Sequence, residues 1–270
     1  MHIDIDDYKA LVSPVRIDDI DFDAFRREPL SADVRRCLRY MHDVELHTVC
    51  YLRDLLVTSA HRDPAMTTFL TFWSYEEYWH GEAIGHVLAA HGEPRGESVI
   101  HNLRRARRVR EGVQPFLHGA ASVVAGKGLG AIHMTWGAVN EWTTQAGYAQ
   151  LSRRAGHPVL SELLGRIMRQ EGRHIDFYAS RAAAHLDGNR VAQRMTRLAL
   201  ERVWRPVGSE VMGPVETTHL ISYLFSGDDG RQMAERIDKR IDRLPGLEGI
   251  ALIRRARERY GAGDALPVAA

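Results

Sequence analysis

The sequence predicts an all-α protein, a four-helix bundle with a long crossover and additional C-terminal helices, as one domain over residues 1–270. The bundle core is expected over about 31–186 and the helical extension over about 187–262. Three observations lead there. Glu77-Tyr78-Trp79-His80 and Glu171-Gly172-Arg173-His174 each put a glutamate three residues before a histidine in a segment patterned as helix. A lone glutamate precedes each pair, Glu45 before the first and Glu141 before the second, so the two halves of the chain repeat each other. Helix start and stop residues then divide each half into a hairpin.

In chain order, residues 1–30 read as an extended leader that packs on the bundle or frays. The first long helix is expected over about 31–60, with Leu46, Val49, Cys50 and Leu52 at apolar spacing. The second spans 64–90, with Asp63 as N-cap and Pro64 at the first helical position. Phe69, Phe72, Trp73 and Ile84 supply its apolar positions. A connector from Gly92 to Gly130 ends in Gly126-Lys127-Gly128-Leu129-Gly130 and reads as flexible backbone suited to a crossover. The third and fourth helices are expected over about 131–155 and 159–186, turning at Gly156-His157-Pro158. Beyond Asp187 the pattern gives three or so shorter helices, interrupted at Pro206, Pro214, Gly227 and Pro245.

The spacing of the acidic residues matches this folding. Glu45 lies 17 residues before the first turn at Arg62, and Glu77 and His80 lie 15 and 18 after it. Glu141 lies 16 residues before His157, and Glu171 and His174 lie 14 and 17 after it. In antiparallel hairpins each set falls at one level, roughly 25 Å from its turn at 1.5 Å per residue. Two Glu-x-x-His pairs and two lone glutamates are the ligand set of a carboxylate-bridged di-metal site inside a bundle. Four carboxylates carry a formal charge of about −4, which two divalent cations would neutralise and a metal-free core could not bury cheaply. Glu76, four residues before His80, competes with Glu77 for this role. Gln170 holds the equivalent place in the second half, so Glu77 is the expected ligand.

With 44% hydrophobic residues and a net charge of +1, the chain can bury a large core and has no bias toward nucleic acid. Cys37 and Cys50, 13 residues apart on the first predicted helix, form no metal-binding pair and are expected to stay reduced. Met1-His2-Ile3-Asp4-Ile5-Asp6-Asp7 is acidic where a signal peptide is basic, and no apolar run reaches membrane-spanning length. A cytoplasmic protein is expected. The run Arg104-Arg105-Ala106-Arg107-Arg108-Val109-Arg110 suits either a solvated face or the docking of an acidic carrier protein. His42, His47 and His133 are the histidines outside the pairs with the strongest claim to a further ligand role. On a helix, His47 is too close to Glu45 to point the same way.

The chain resembles the soluble acyl-ACP desaturases of the ferritin-like superfamily, in their compact bacterial form. Their second ligand motif, Glu-Glu-Asn-Arg-His-Gly, is matched by Glu76-Glu77-Tyr78-Trp79-His80-Gly81 in both glutamates, the histidine and the glycine. Their fourth, Asp-Glu-Lys-Arg-His, is matched by Gln170-Glu171-Gly172-Arg173-His174 in glutamate, arginine and histidine. Thr144, three residues after Glu141, stands where the family places a threonine near the oxygen-binding face. The likeness is good over 31–186 and weak beyond. Gln170 replaces an aspartate, Tyr78 and Trp79 replace polar residues, and Gly172 implies close packing or a local distortion in the fourth helix.

The resemblance implies two iron ions held by Glu45, Glu77, His80, Glu141, Glu171 and His174, with manganese able to bind the same donors. It implies a catalytic role for Thr144 in handling bound oxygen or its protons. It further implies an acyl substrate carried on acyl carrier protein, O₂, a ferredoxin-like electron donor and a homodimer. An apolar slot between helices would hold the chain, with Phe72, Trp73, Met134 and Met168 as candidate linings or as ordinary core. A di-iron oxygenase or oxidase, hydroxylating or N-oxygenating its substrate, is the alternative, separated by product mass. Iron storage in a shell and a degenerate metal- or partner-binding protein also stand at this point. The long C-terminal extension and large crossover argue against a shell.

Overall fold

Asp63 and His157 start the two helices that carry the Glu-x-x-His pairs. The Asp63 carboxylate accepts from the backbone N–H of Met66 at 3.1 Å, and His157 Nδ1 accepts from that of Leu160 at 3.4 Å. Each cap is followed by a proline, whose missing N–H costs nothing in a first turn. A computed structural model describes residues 5–262. The opening Met1-His2-Ile3-Asp4, residues 263–270 and the side chains at 97, 98, 110, 120–125 and 127, among them Arg110 and Lys127, lie outside the described residues.

The architecture is an all-α helical bundle, with no strand among the described residues. Helices α3 (Ala32–Glu45) and α4 (Thr48–Leu56) pair with α5 (Pro64–Ala90), and α8 (Leu129–Ala155) pairs with α9 (Pro158–Leu186). Contacts of α5 with α9 and of α3 with α8 close these into a four-helix core. Both α5 and α8 bury residues around most of their circumference, as inner helices must. Gly156 in the left-handed region ends α8 and turns the chain into α9.

Four expectations need correction. The first long helix is broken at Leu46 and His47, directly after Glu45, so Cys37 and Cys50 sit on different helices and a short 3₁₀ turn (Ser59–Arg62) follows α4. At the break the chain stays near helical angles but tightens, with the His47 N–H bonding to the Val44 carbonyl three residues back. Arg104 donates to the Leu46 carbonyl at 2.8 Å. The crossover is helical, as α6 (Glu97–Ala106) and α7 (Arg108–Ala125), with the glycine-rich stretch reduced to a 3₁₀ turn at Gly126–Gly128. Flexible backbone was the wrong reading, since α7 runs through Gly112, Pro115 and Gly119. The leader holds α1 (Ile5–Leu11) and α2 (Ala24–Arg27), and Tyr8 and Phe25 are fully buried. Gly172 causes neither distortion nor close packing, since α9 is continuous there and an added Cβ meets nothing within 4 Å.

The extension has four helices where about three were expected: α10 (Arg190–Arg202), α11 (Ser209–Phe225), α12 (Gly227–Ile241) and α13 (Leu252–Arg259). The breaks fall close to the expected residues, and Pro214 sits in a kink of α11 beside Gly213. This layer covers α3 and α8 through α10, α11 and α12. Among the described residues no helix is long and apolar enough to cross a membrane.

Candidate metal centre

Six side chains from four helices meet at mid-bundle: Glu45 at the end of α3, Glu77 and His80 on α5, Glu141 on α8, and Glu171 and His174 on α9. All six are buried, with His80, Glu171 and His174 fully so. They sort into two donor groups, Glu45, Glu77, His80 and Glu171 in one and Glu77, Glu141, Glu171 and His174 in the other. Within each group the donor atoms lie within 4.8 Å of one another. Glu77 and Glu171 belong to both groups, which is the placement of bridging carboxylates, while Glu45 and Glu141 each serve one.

The histidines are oriented from behind. Gln170 Nε2 donates to the Ser13 carbonyl at 3.0 Å, which turns Oε1 toward His80 Nε2 at 2.8 Å. His80 Nε2 must therefore carry hydrogen, and its Nδ1 faces Glu171 at 3.4 Å and Glu77 at 3.6 Å. Glu76 Oε2 lies 2.9 Å from His174 Nε2, and His174 Nδ1 stands 3.1 Å from both Glu77 and Glu171. Tyr8 donates to the same Glu76 oxygen at 3.0 Å, and Arg173 pairs with the other at 2.5 Å. The arrangement is crosswise: each residue four before one histidine supports the histidine of the opposite hairpin. Such outer partners fix the ring tautomer and raise ligand basicity. Glu76 thus backs a ligand instead of competing with Glu77, and Gln170 takes the matching place.

Electrostatics show what this cluster lacks. Burial, then the charges of its carboxylate neighbours, push Glu45 and Glu141 well above the ordinary carboxylate range. Burial also opposes ionisation of Glu77 and Glu171. For Glu77, hydrogen bonds from Glu45, His174 and His80 prevail over it; for Glu171, those from His174 and His80 prevail over both burial and the Glu77 charge, and both carboxyls stay low. Burial disfavours charge on both histidines, yet Glu171 and Glu77 push His80 up to about 9, and Tyr8 with the Glu171, Glu76 and Glu77 contacts raises His174 well above its ordinary value. The centre therefore favours charge on Glu77, Glu171 and both histidines and opposes it on Glu45 and Glu141. Glu77 Oε1, Glu171 Oε1 and His80 Nδ1 are buried and meet their neighbours only in ion-pair contacts at 3.1–3.6 Å, with no well-directed hydrogen bond. Two divalent cations would replace the protons, ionise all four carboxylates and meet these atoms, so the donor set fits a metal pair.

A cavity of about 760 Å³ reaches the centre and is lined by Glu45, Glu77 and Glu141. Its walls run from Tyr40 to Thr58 along α3 and α4 and from Leu129 to Gly147 along α8, and Thr144 lies on them. Of the four predicted linings only Trp73 reaches it, donating to Glu141 at 2.9 Å. Phe72, Met134 and Met168 do not line it; Met134 is fully buried in the core, and Phe72 and Met168 pack against that core. His47, which also lines the cavity, meets Glu111 of α7 at 3.0 Å. With Cys50 these could hold an ion, but Arg53 already pairs with Glu111 at 3.0 Å. His42 is taken up by Asp43 at 2.7 Å.

Sequence reasoning missed Tyr8, Ser13 and Tyr148 around the site, while His133, singled out as a possible further ligand, belongs to neither donor group and lines the cavity. Tyr148, whose hydroxyl donates to Glu45, follows Glu141 by seven residues, two turns along the same face of α8, and that spacing was available. No local signal marks Tyr8 and Ser13. No family model, no curated protein and no solved structure matches the chain.

Proposed function

We propose that the protein is an O₂-dependent di-iron oxidoreductase of the ferritin-like type that desaturates an acyl chain presented on a carrier protein. The observation that supports this best is a largely apolar cavity whose wall includes three carboxylates of a six-residue site with two shared glutamates. Glu45, Glu77, His80, Glu141, Glu171 and His174 would hold the ions. Two ferrous ions with O₂ supply the oxidising power needed to take hydrogen from an unactivated carbon. In balance, the chain loses two hydrogens and O₂ becomes two waters, with two protons and two further electrons from a ferredoxin-like donor.

The protein's own part is orientation, exclusion of water and proton handling. Aliphatic and aromatic walls would align the chain past Glu141. Thr144, one turn beyond Glu141 on α8 and facing the same cavity, would pass a proton through its hydroxyl. The α6–α7 face offers Arg105 and Arg108, both exposed, to an acidic carrier. Arg104 and Arg107 bond inward to the carbonyls of Leu46 and Val211, so the basic run is not one solvated stripe. We also propose a homodimer in the cytoplasm.

A di-iron hydroxylase or N-oxygenase is the second reading. It is favoured by two polar groups in the cavity wall, on His133 and Tyr178, which a slot for plain alkyl chain would not need. The test is iron per chain after anaerobic reconstitution, comparing the native protein with Glu77→Ala and Glu171→Ala. About two irons are expected, with loss in both variants. No bound iron, or none lost, would sink the proposal. Given iron, product mass decides between loss of two hydrogens and gain of one oxygen.

A further inference from the structure

Four rings form a closed circuit in the cavity wall. Tyr51 to Trp73, Trp73 to Tyr178, Tyr178 to His133 and His133 back to Tyr51 have ring centroids 6.0, 6.0, 5.9 and 6.0 Å apart. All four residues line the cavity. The helical register places the circuit. Trp73 is one turn before Glu77, Tyr178 one turn after His174, and His133 two turns before Glu141. The rings therefore lie one to two turns, roughly 6–12 Å, along the bundle from the carboxylates. Gly137 makes room for them, since a Cβ there would stand 2.3 Å from the Tyr178 ring.

Two polar atoms of this layer have no partner. His133 Nε2 and the Tyr178 hydroxyl are buried and make no hydrogen bond, whereas Trp73 is committed to Glu141. His133 is 4% exposed and Tyr178 fully buried. Orphaned groups of this kind are exceptional in native proteins and usually mark a place where water or a ligand enters. Burial, helped by the charge of His118, lowers His133 to about 3, so the ring is neutral. Tyr51 OH is 3.1 Å from Nδ1, and in the tautomer where the phenol donates there, Nε2 carries the hydrogen. The wall then offers an imidazole N–H and a phenolic hydroxyl to whatever fills the cavity beside them.

We infer that His133 and Tyr178 form a subsite for an oxygen atom of the substrate, so that the protein selects aliphatic chains bearing a hydroxyl, keto or ester oxygen over plain alkyl chains. The oxygen would accept from His133 Nε2–H and exchange a hydrogen bond with Tyr178. His133 is then a specificity-determining residue, and Tyr51 positions it. The binding claim stands on the cavity alone. Only the statement that this oxygen lies one to two helical turns from the reacting carbon rests on the proposed di-iron chemistry.

The experiment is calorimetric titration of the full chain with dodecanoate and with its 8-, 10- and 12-hydroxy derivatives, in the native protein and in His133→Phe and Tyr178→Phe. At least one hydroxy acid should bind the native protein about five-fold tighter than dodecanoate, the worth of one net hydrogen bond. Each variant should lose that preference, read as the ratio of hydroxy-acid to dodecanoate affinity within that variant. Equal binding of all four acids, as when water merely fills the subsite, would overturn the inference. So would binding of none, or a preference that survives in both variants. Iron per chain is measured on the same samples. A native protein without iron but with the hydroxyl preference would sink the di-iron reading and leave this one standing.

Discussion

Glu76 and Gln170 occupy equivalent places, yet one presents a carboxylate and the other an amide to the histidine it supports. A carboxylate behind an imidazole makes it the more basic ligand, so Glu76→Gln should weaken metal binding by about 10- to 100-fold. Competition against a chelator of known affinity would measure this, and an unchanged affinity would show that the Glu76 contact is only structural. His133 gives a pH prediction. Its folded pKa of about 3 lies below the ordinary value of 6.5, so the unfolded chain binds the extra proton more readily. The corresponding stability is fully present above pH 6.5 and declines as the pH falls toward 3. At pH 5 the loss should be about 2 kcal/mol, and His133→Phe should remove that part of the acid slope in denaturant titrations. A wild-type slope retained in the variant would contradict it. At this scale the six candidate ligands were legible because i, i+3 spacing and hairpin register are local properties. The crosswise support was not, because which side chain lies behind His174 depends on the packing of α5 against α9.

On the scale of helices, two glycines in the bundle should respond in opposite directions. Gly172 sits inside α9 with open space around its missing Cβ, so Gly172→Ala should stabilise the protein by about 0.8–1 kcal/mol. Gly137 sits inside α8 against the Tyr178 ring, so Gly137→Ala should cost roughly 1–3 kcal/mol through overpacking. Thermal midpoints of the two variants on either side of the wild type would bear this out. The limits of α5 were legible from Asp63 and Pro64, and Gly156 and Pro158 marked the turn between α8 and α9. The break after Glu45 was not legible. Leu46 and His47 carry no helix-breaking signal, and Arg104, which satisfies the Leu46 carbonyl, comes from a segment 58 residues away. The crossover was misread because its glycines and prolines, among them Gly112, Pro115 and Gly119, were taken as flexible backbone, whereas α7 runs through all three.

For the molecule as a whole, α1 and the residues just after it form a strap over the back of both histidines. Tyr8 bonds to Glu76 and the Ser13 carbonyl to Gln170, so one short segment touches the support of His174 and of His80. Deleting residues 1–13 should leave the bundle helical but speed metal release to a chelator several-fold, with circular dichroism and stopped-flow absorbance as the readouts. Unchanged release would mean that the strap has no part in holding the ligands. The overall all-α plan was legible because it follows from helix periodicity and cap residues, whereas the strap depends on tertiary partners absent from any local pattern. The Arg104 bond at the α3–α4 break has a further consequence. The carbonyl it holds belongs to the residue after Glu45, so a crossover helix and a metal-site carboxylate share one mechanical joint. A carrier that shifted α6 on docking would alter the donor geometry at Glu45. Thermodynamic linkage then requires the converse, that ions seated at Glu45 change the carrier's affinity by the same factor. Under the proposed function, the joint would couple occupancy of the buried site to events at the α6 surface.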